Sequence, residues 1–421
     1  MTTGAALWPL EELDVAALRR SGLRAVPFRQ FVLKVNGRCN LACSYCYVYE
    51  GADSSWRDRP NRVSPAVVRR TATRIAEHAA THQLTSLQIN LHGGEPLLAG
   101  VSNLVAQVSE VRAAVRARCG RSCAVDASVQ TNGTLLTEQS VGQLADAGVR
   151  IGVSLDGGTA ALNRRRVNHA GRSTWAKTTA GLQVLRGRPE AYAGILSVID
   201  PDSDPAEVYS SLTAFGPPSM DLLLPHANHA FPPAAKGPHP YGDWLVRLFD
   251  LWFDAGERAV PVRLFHEIIA LLLGVPGRAE AVGTSPVVAV VVDTDGTIEQ
   301  VDSLKTAYAG APATGCDVFG HTFDDVLDHP GVVARQLGTE ALAATCRACP
   351  LAEVCGGGNY AHRYRPVAGF RNPSVYCADL DLLIRHVAHR VRSAADAPWS
   401  GRTNQRPLRT GPLRARQNWG R

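Results

Sequence analysis

Two groups of cysteines carry the chemistry this chain advertises. Cys39, Cys43 and Cys46 place three thiols within eight residues, and Cys346, Cys349, Cys355 and Cys377 place four more around a Gly-Gly-Gly turn. Three thiolates can hold three irons of a 4Fe–4S cube and leave the fourth iron open. The same three could be a zinc site lacking one ligand, or cysteines packed in a core. Four thiolates suit either structural zinc or a fully ligated 4Fe–4S cluster. Cys119, Cys123 and Cys316 fall outside both groups. The first residues lack a basic n-region and soon turn acidic, so a cytoplasmic location is expected. In that compartment ten cysteines are not a disulfide framework.

Elements able to position these groups follow from the hydrophobic pattern. Short apolar runs at Phe31–Asn36, Leu87–His92, Val125–Gln130, Arg150–Ser154, Ala193–Ile199 and Met220–Leu224 read as strands. Amphipathic stretches lie between them, and one opens at Ser64-Pro65, an N-cap followed by proline at the first helical position. Six β-α units in series predict an α/β fold with a parallel sheet, curled into a partial (β/α)6 barrel. In such barrels chemistry sits on loops at the C-terminal strand ends. The first cysteine group follows the first strand, Gly93-Gly94-Glu95-Pro96 the second, and Gln130-Thr131-Asn132-Gly133 the third. Ser154-Leu155-Asp156-Gly157 follows the fourth, and His226-Ala227-Asn228 the sixth.

The domain reading is a lead-in (1–30), the partial barrel (31–235), a helical connection (236–284), a second domain holding the later cysteines (285–395) and a basic tail (396–421). A strand pair turning at Asp295-Gly296 is expected to open the second domain, and a helix near Asp379–Arg392 to close it. The formal charge of +6 is concentrated in the tail: from Ala397 to Arg421 the chain carries Arg402, Arg406, Arg409, Arg414, Arg416 and Arg421 and no acidic residue. The body is therefore near neutral, which argues against a nucleic-acid enzyme. The tail reads as a disordered terminus or as a docking arm for an acidic peptide. No run reaches the roughly 18 apolar residues that span a bilayer, so no membrane partner is expected.

With Tyr45 before its last cysteine, and directly after a strand, the first group resembles the cysteine loop of the radical S-adenosylmethionine (SAM) superfamily. That resemblance implies SAM chelated by the open iron and cleaved to a 5′-deoxyadenosyl radical, with an external electron donor such as a flavodoxin or ferredoxin. Gly93, Gly94 and Glu95 match the strand end whose backbone holds the SAM amino group, where glycine permits close approach. Ser154 falls where the superfamily places a ribose-binding hydroxyl. Gln130 and Asn132 face SAM or substrate, and Arg166 matches an arginine that pairs with the SAM carboxylate. Leu162-Asn163 departs from the His-Asp common in relatives.

The later cysteines resemble a C-terminal SPASM domain, which usually carries seven cysteines for two auxiliary clusters. Here Val301 and Asn359 stand where two of those cysteines are expected. The expectation is one auxiliary 4Fe–4S cluster on Cys346, Cys349, Cys355 and Cys377, with no open iron.

Three further stretches narrow the resemblance: Pro27 to Val35 with Cys46-Tyr47-Val48-Tyr49-Glu50, Leu224-Pro225-His226-Ala227-Asn228, and Glu299-Gln300-Val301-Asp302-Ser303-Leu304-Lys305. Together they resemble FxsB-type enzymes, peptide maturases of the three-residue cyclophane group. The likeness implies a ribosomally made precursor peptide as substrate and a carbon–carbon bond between an aromatic ring and a β-carbon. Asp156 and His226 are the candidate proton acceptors. The part before Phe31 is too short for a separate leader-binding domain. Alternatives are a SPASM maturase making thioethers or oxidising Ser or Cys, and a zinc-stabilised peptide-binding protein.

Overall fold

The structure is a computed structural model that describes residues 8–256 and 259–396. The expected basic tail, apart from Asp396, lies outside the described residues. Six parallel strands form in the predicted places: β1 (Gln30–Asn36), β2 (Ser86–Gly93), β3 (Ala124–Thr131), β4 (Val149–Ser154), β5 (Tyr192–Val198) and β6 (Met220–Leu223). They lie in sequential order, each parallel to the next. Their buried faces carry Phe31, Leu33, Ile89, Leu91, Val129, Ile151, Val153 and Ile195, the branched side chains that suit strands covered on both faces.

Helix starts are set by local chemistry. Ser64 accepts from the Val67 amide at 3.3 Å, with Pro65 in the first turn of the Pro65–Thr81 helix. Thr137 and Ser140 form a reciprocal capping box on the Glu138–Asp146 helix. Along Pro65–Thr81 the buried positions Val67, Thr71, Ala72, Ile75, Ala76 and Ala79 recur at helical spacing.

The expected boundary at 285 does not interrupt the sheet. β7 (Ala289–Val292) pairs parallel to β1, from Gln30↔Ala289 to Leu33↔Val292. β8 (Thr297–Glu299) and β9 (Ala313–Asp317) follow antiparallel, giving one nine-stranded sheet with β1 inside it. Physically, β1 has two edges, and only one of them is taken by β2.

The helical connection is two helices, Pro240–Ala255 and Arg263–Leu272, and both pack on the closing helix. That helix runs Cys377–Asp396, so it begins at the last cysteine rather than after it. Asp379 accepts from the Tyr241 and Gly242 amides at 2.9 and 2.8 Å, and a Cβ at Gly242 would meet the Asp379 backbone at 2.9 Å. A second apolar cluster gathers Trp8, Leu304, Ala307, Ala311, Tyr360, Tyr364 and Phe370. It ties the lead-in to the C-terminal part.

Candidate active site

The Cys39–Cys46 loop leaves β1 and lies against the ends of β2 and β3. Gly94 and Glu95 donate their amides to the carbonyls of Asn36 and Arg38, at 2.9 and 3.0 Å. A Cβ at Gly93 would meet the Asn36 carbonyl oxygen at 2.1 Å, and one at Gly94 would meet Arg38 backbone at 2.4 Å. The crowding that demands glycine at both positions thus comes from the end of β1 and the residues leading into the cysteine loop. Glu95, fully buried, accepts from Leu97 N (3.0 Å), Thr131 Oγ1 (2.7 Å) and Asn132 N (2.8 Å). Burial raises its pKa, partly countered by the Asn132 amide. It positions the β3 end rather than facing open space.

Asn132 in turn donates to Asn40 Oδ1 at 2.8 Å and approaches Cys39 Sγ at 3.8 Å. Gln130 donates to Ser154 Oγ at 2.8 Å, so these two expected ligand contacts lie side by side.

Of three consecutive arginines, only Arg166 turns inward. Arg164 and Arg165 reach Asp200, at 2.6 and 3.5 Å, and Arg164 stays half exposed. Arg166 is buried, donates to the Tyr45 hydroxyl at 2.8 Å and lies 4.0 Å from Asp156. Tyr45 donates to Asp156. Burial pushes the Cys43 thiol up and the Arg166 charge acts against it. A cation beside thiols favours the ionised form, which is the form that ligates a metal. Arg166 Nε is buried without a partner.

Asp156, a candidate proton acceptor, is already occupied: Tyr45 and the Val198 amide donate to it, and Arg166 pairs with it. Burial raises its pKa, and Arg166 opposes that. Its own amide donates to Asn163 Oδ1 at 3.2 Å, so the departure at Leu162-Asn163 places a fully buried structural residue there.

His226, the other candidate, meets the Tyr47 ring edge-on at 4.8 Å and faces His362 Nε2 at 3.3 Å. Burial lowers its pKa to about 4, so the imidazole is neutral at pH 7.

Sequence reasoning assigned no role to the buried charges beside these rings. Lys34 on β1 pairs with Asp302 at 2.5 Å, both almost wholly enclosed. Lys305 reaches Asp53 (3.3 Å) and Glu299 (3.1 Å), and Arg59 joins through Glu299 (2.7 Å) and Asp293 (3.1 Å). Asp302 Oδ1 has no hydrogen-bond partner. Burial works to raise the Asp302 pKa, but Lys34 and Lys305 outweigh it and hold the carboxyl below its ordinary range. The signal was a lysine inside an otherwise apolar strand, where a charge needs a partner.

At the second cysteine group, Cys355 ends the short Ala352–Cys355 helix and Cys377 begins the long one. Gly356, Gly357 and Gly358 have φ of +58°, +76° and +70°, conformations that favour glycine. Arg363, buried, donates to the carbonyls of Gly356 (2.6 Å) and Gly358 (2.5 Å); burial raises the Cys346 and Cys355 thiols, and the Arg363 charge acts against that.

Both positions expected to hold cysteine are filled structurally. Asn359 caps the Tyr360–Arg363 turn by accepting from Ala361 N at 3.0 Å, and Val301 packs on the second apolar cluster. Cys316 lies on β9 opposite Ile298.

Among the described residues, the only group of at least three His, Cys, Asp or Glu whose ligand atoms all lie within 4.8 Å of one another is His78, His82 and Asp324. Neither cysteine group is drawn in that tightly.

Comparison with known proteins gives a consistent picture. Residues 33–205 match the Radical SAM superfamily model. A serine-type anaerobic sulfatase-maturating enzyme of Klebsiella aerogenes is 29% identical over 216 residues, 48% of this chain and 50% of that protein. A cysteine-type enzyme of Clostridium perfringens (strain 13 / Type A) is 25% identical over 66% of this chain and 74% of its own length. The chain spans about half the length of the first of these relatives. Native anSMEcpe with bound AdoMet superposes with a TM-score of 0.71 at 19% identity, covering 87% of this chain and 99% of the other. Streptococcus suis SuiB bound to precursor peptide SuiA gives 0.56 at 15% identity, over 85% and 77%. At these identities the structural likeness shows the fold, a parallel radical SAM α/β sheet with a cysteine-rich C-terminal part. The family match over residues 33–205 agrees with that fold.

Proposed function

We propose that the chain is a radical SAM peptide maturase that installs a carbon–carbon crosslink between an aromatic ring and a β-carbon of a ribosomally made precursor. The carrying observation is convergence. The stretches that resemble the FxsB-type group contact one another: Tyr47 meets His226, Asp302 pairs with Lys34 of β1, and Asn228 donates at 2.8 Å to the carbonyl of Thr306, which directly follows Lys305.

Cys39, Cys43 and Cys46 would hold the cluster with the open iron, and Cys346, Cys349, Cys355 and Cys377 a closed auxiliary one. Bound together, the first cluster and SAM would supply a carbon radical able to take hydrogen from the peptide. Arg166, with its unpartnered Nε, and the Gln130–Ser154 pair are the polar groups offered to SAM. Once the β-carbon radical has added to the ring, restoring aromaticity breaks the ring C–H bond and releases one proton and one electron. Asp302 supports the proton's part, since it is held ionised and keeps one oxygen free; the auxiliary cluster supports the electron's part. Asp156 acts as a positioning residue for Tyr45 and Arg166.

A second reading, oxidation of a Ser or Cys side chain, is favoured by the sulfatase-maturating relatives. Both reactions remove two hydrogens, so mass alone does not separate them. Co-expression with the peptide encoded beside the gene, followed by fragmentation and NMR of the product, does. A bond between ring and β-carbon is expected; an aldehyde would establish the second reading, and a crosslink surviving Cys43→Ala would defeat both.

A further inference from the structure

We infer that His78, His82 and Asp324 form a divalent-metal site, of the zinc class, that clamps the barrel to the C-terminal part. His78 lies in the last turn of the Pro65–Thr81 helix and His82 is its C-cap. Four residues apart on one helix, their rings share a face, with centroids 4.5 Å apart. Asp324 comes from the other side of the fold, on the Phe323–Leu327 helix. Its Oδ1 lies 2.7 Å from His78 Nδ1 and 2.7 Å from His82 Nε2. Two imidazole nitrogens and one carboxylate oxygen thus converge on a common point, the donor set that borderline first-row cations take up.

The three donors differ in freedom, in a way that suits binding. His78 is 2% exposed, and its ring is held among Phe28, Phe31 and Phe323 at centroid distances of 5.9, 6.0 and 6.0 Å. The His82 and Asp324 side chains are 25% and 39% exposed, which leaves an entry path and one movable arm. Bonds of about 2.0–2.1 Å to one tetrahedral ion set donors about 3.3 Å apart. Both nitrogen–oxygen separations therefore need to lengthen by about 0.6 Å, and the two nitrogens already lie within 4.8 Å of each other. Solvent can supply the fourth ligand. The site is remote in kind from both cysteine groups, since it contains no sulfur.

The test uses anaerobically reconstituted holoenzyme with its iron complete, titrated with zinc chloride against a chromophoric chelator. Zinc K-edge absorption is then measured on the loaded protein. One tightly held zinc per chain is expected, coordinated by nitrogen and oxygen alone with imidazole scattering. His82→Ala and Asp324→Asn should each weaken it at least tenfold while iron content and far-UV circular dichroism stay unchanged. No zinc above background in the wild type, sulfur in the coordination sphere, or binding undiminished in both variants would overturn the assignment.

Discussion

Replacing Asp302 by Asn tests the buried charge network most directly. The substitution conserves volume, so no cavity follows, and what changes is the charge facing Lys34. Among the described residues Asp302 is the acid within 4 Å of Lys34 Nζ, at 2.5 Å, with the two side chains 4% and 8% exposed. Leaving one member of such a pair buried alone costs about 3–5 kcal/mol, or about two to four decades in the folding equilibrium. Lys34→Met should cost less, because Lys305 still bears on Asp302. The double variant Lys34→Met/Asp302→Leu should recover most of the stability, since a well-packed apolar pair often replaces a buried ion pair without loss. Urea unfolding of the anaerobic holoenzyme, followed by circular dichroism, on the wild type, Lys34→Met, Asp302→Leu and the double variant measures all four corners of this cycle. Simple additivity of the two single losses would refute the argument that the charges are coupled. The same samples report function: Asp302→Asn should still cleave SAM but yield no crosslinked peptide, and normal product would remove Asp302 as the proton acceptor.

Iron analysis after anaerobic reconstitution should give about eight irons per chain, falling to about four in Cys377→Ala with SAM cleavage retained; about four irons plus zinc bound through sulfur would exclude the second cluster. Arg363→Ala removes a guanidinium from the Gly356 and Gly358 carbonyls, a loss of about 1.5–3 kcal/mol per charged hydrogen bond. It should release the auxiliary iron first, seen as loss of visible absorbance during mild chelation. Acid should also destabilise the fold early. His92 and His226 both have pKa values lowered to about 4 by burial. Between pH 6.5 and 4 the unfolded chain therefore binds protons that the folded chain refuses, and stability should fall across that window in a urea series. For the same reason activity should show no histidine inflection near pH 6.5 arising from His226.

The barrel strands were legible because branched apolar runs with helical stretches between them leave little else to form. The addition of β7 to the sheet was not, since a run such as Ala289–Val292 says nothing about which edge it will join. The cysteines announced themselves by spacing. Arg166 was singled out by the resemblance alone; that it turns toward Tyr45 while Arg164 and Arg165 reach Asp200 is decided by the fold. Glu95 read as part of a glycine-rich turn, yet its hydrogen bonds go to Thr131 and Asn132 on a strand that local sequence could not bring near. Lys34 and Asp302 are far apart in sequence, and their pairing depends on β7 and β8 carrying the following turn back over β1.

That sheet has a consequence for how the two halves can be separated. β1 bears the loop with Cys39, Cys43 and Cys46, and it is covered on one side by β2 and on the other by β7. Cutting the chain before β7 would leave the Gln30–Leu33 backbone unpaired along one side, an adhesive strip open to any neighbouring copy. The barrel segment expressed alone is then an aggregation hazard rather than a miniature of the whole. A swap of C-terminal parts between relatives has to bring its own β7 in matching register, or the radical-generating loop loses its support.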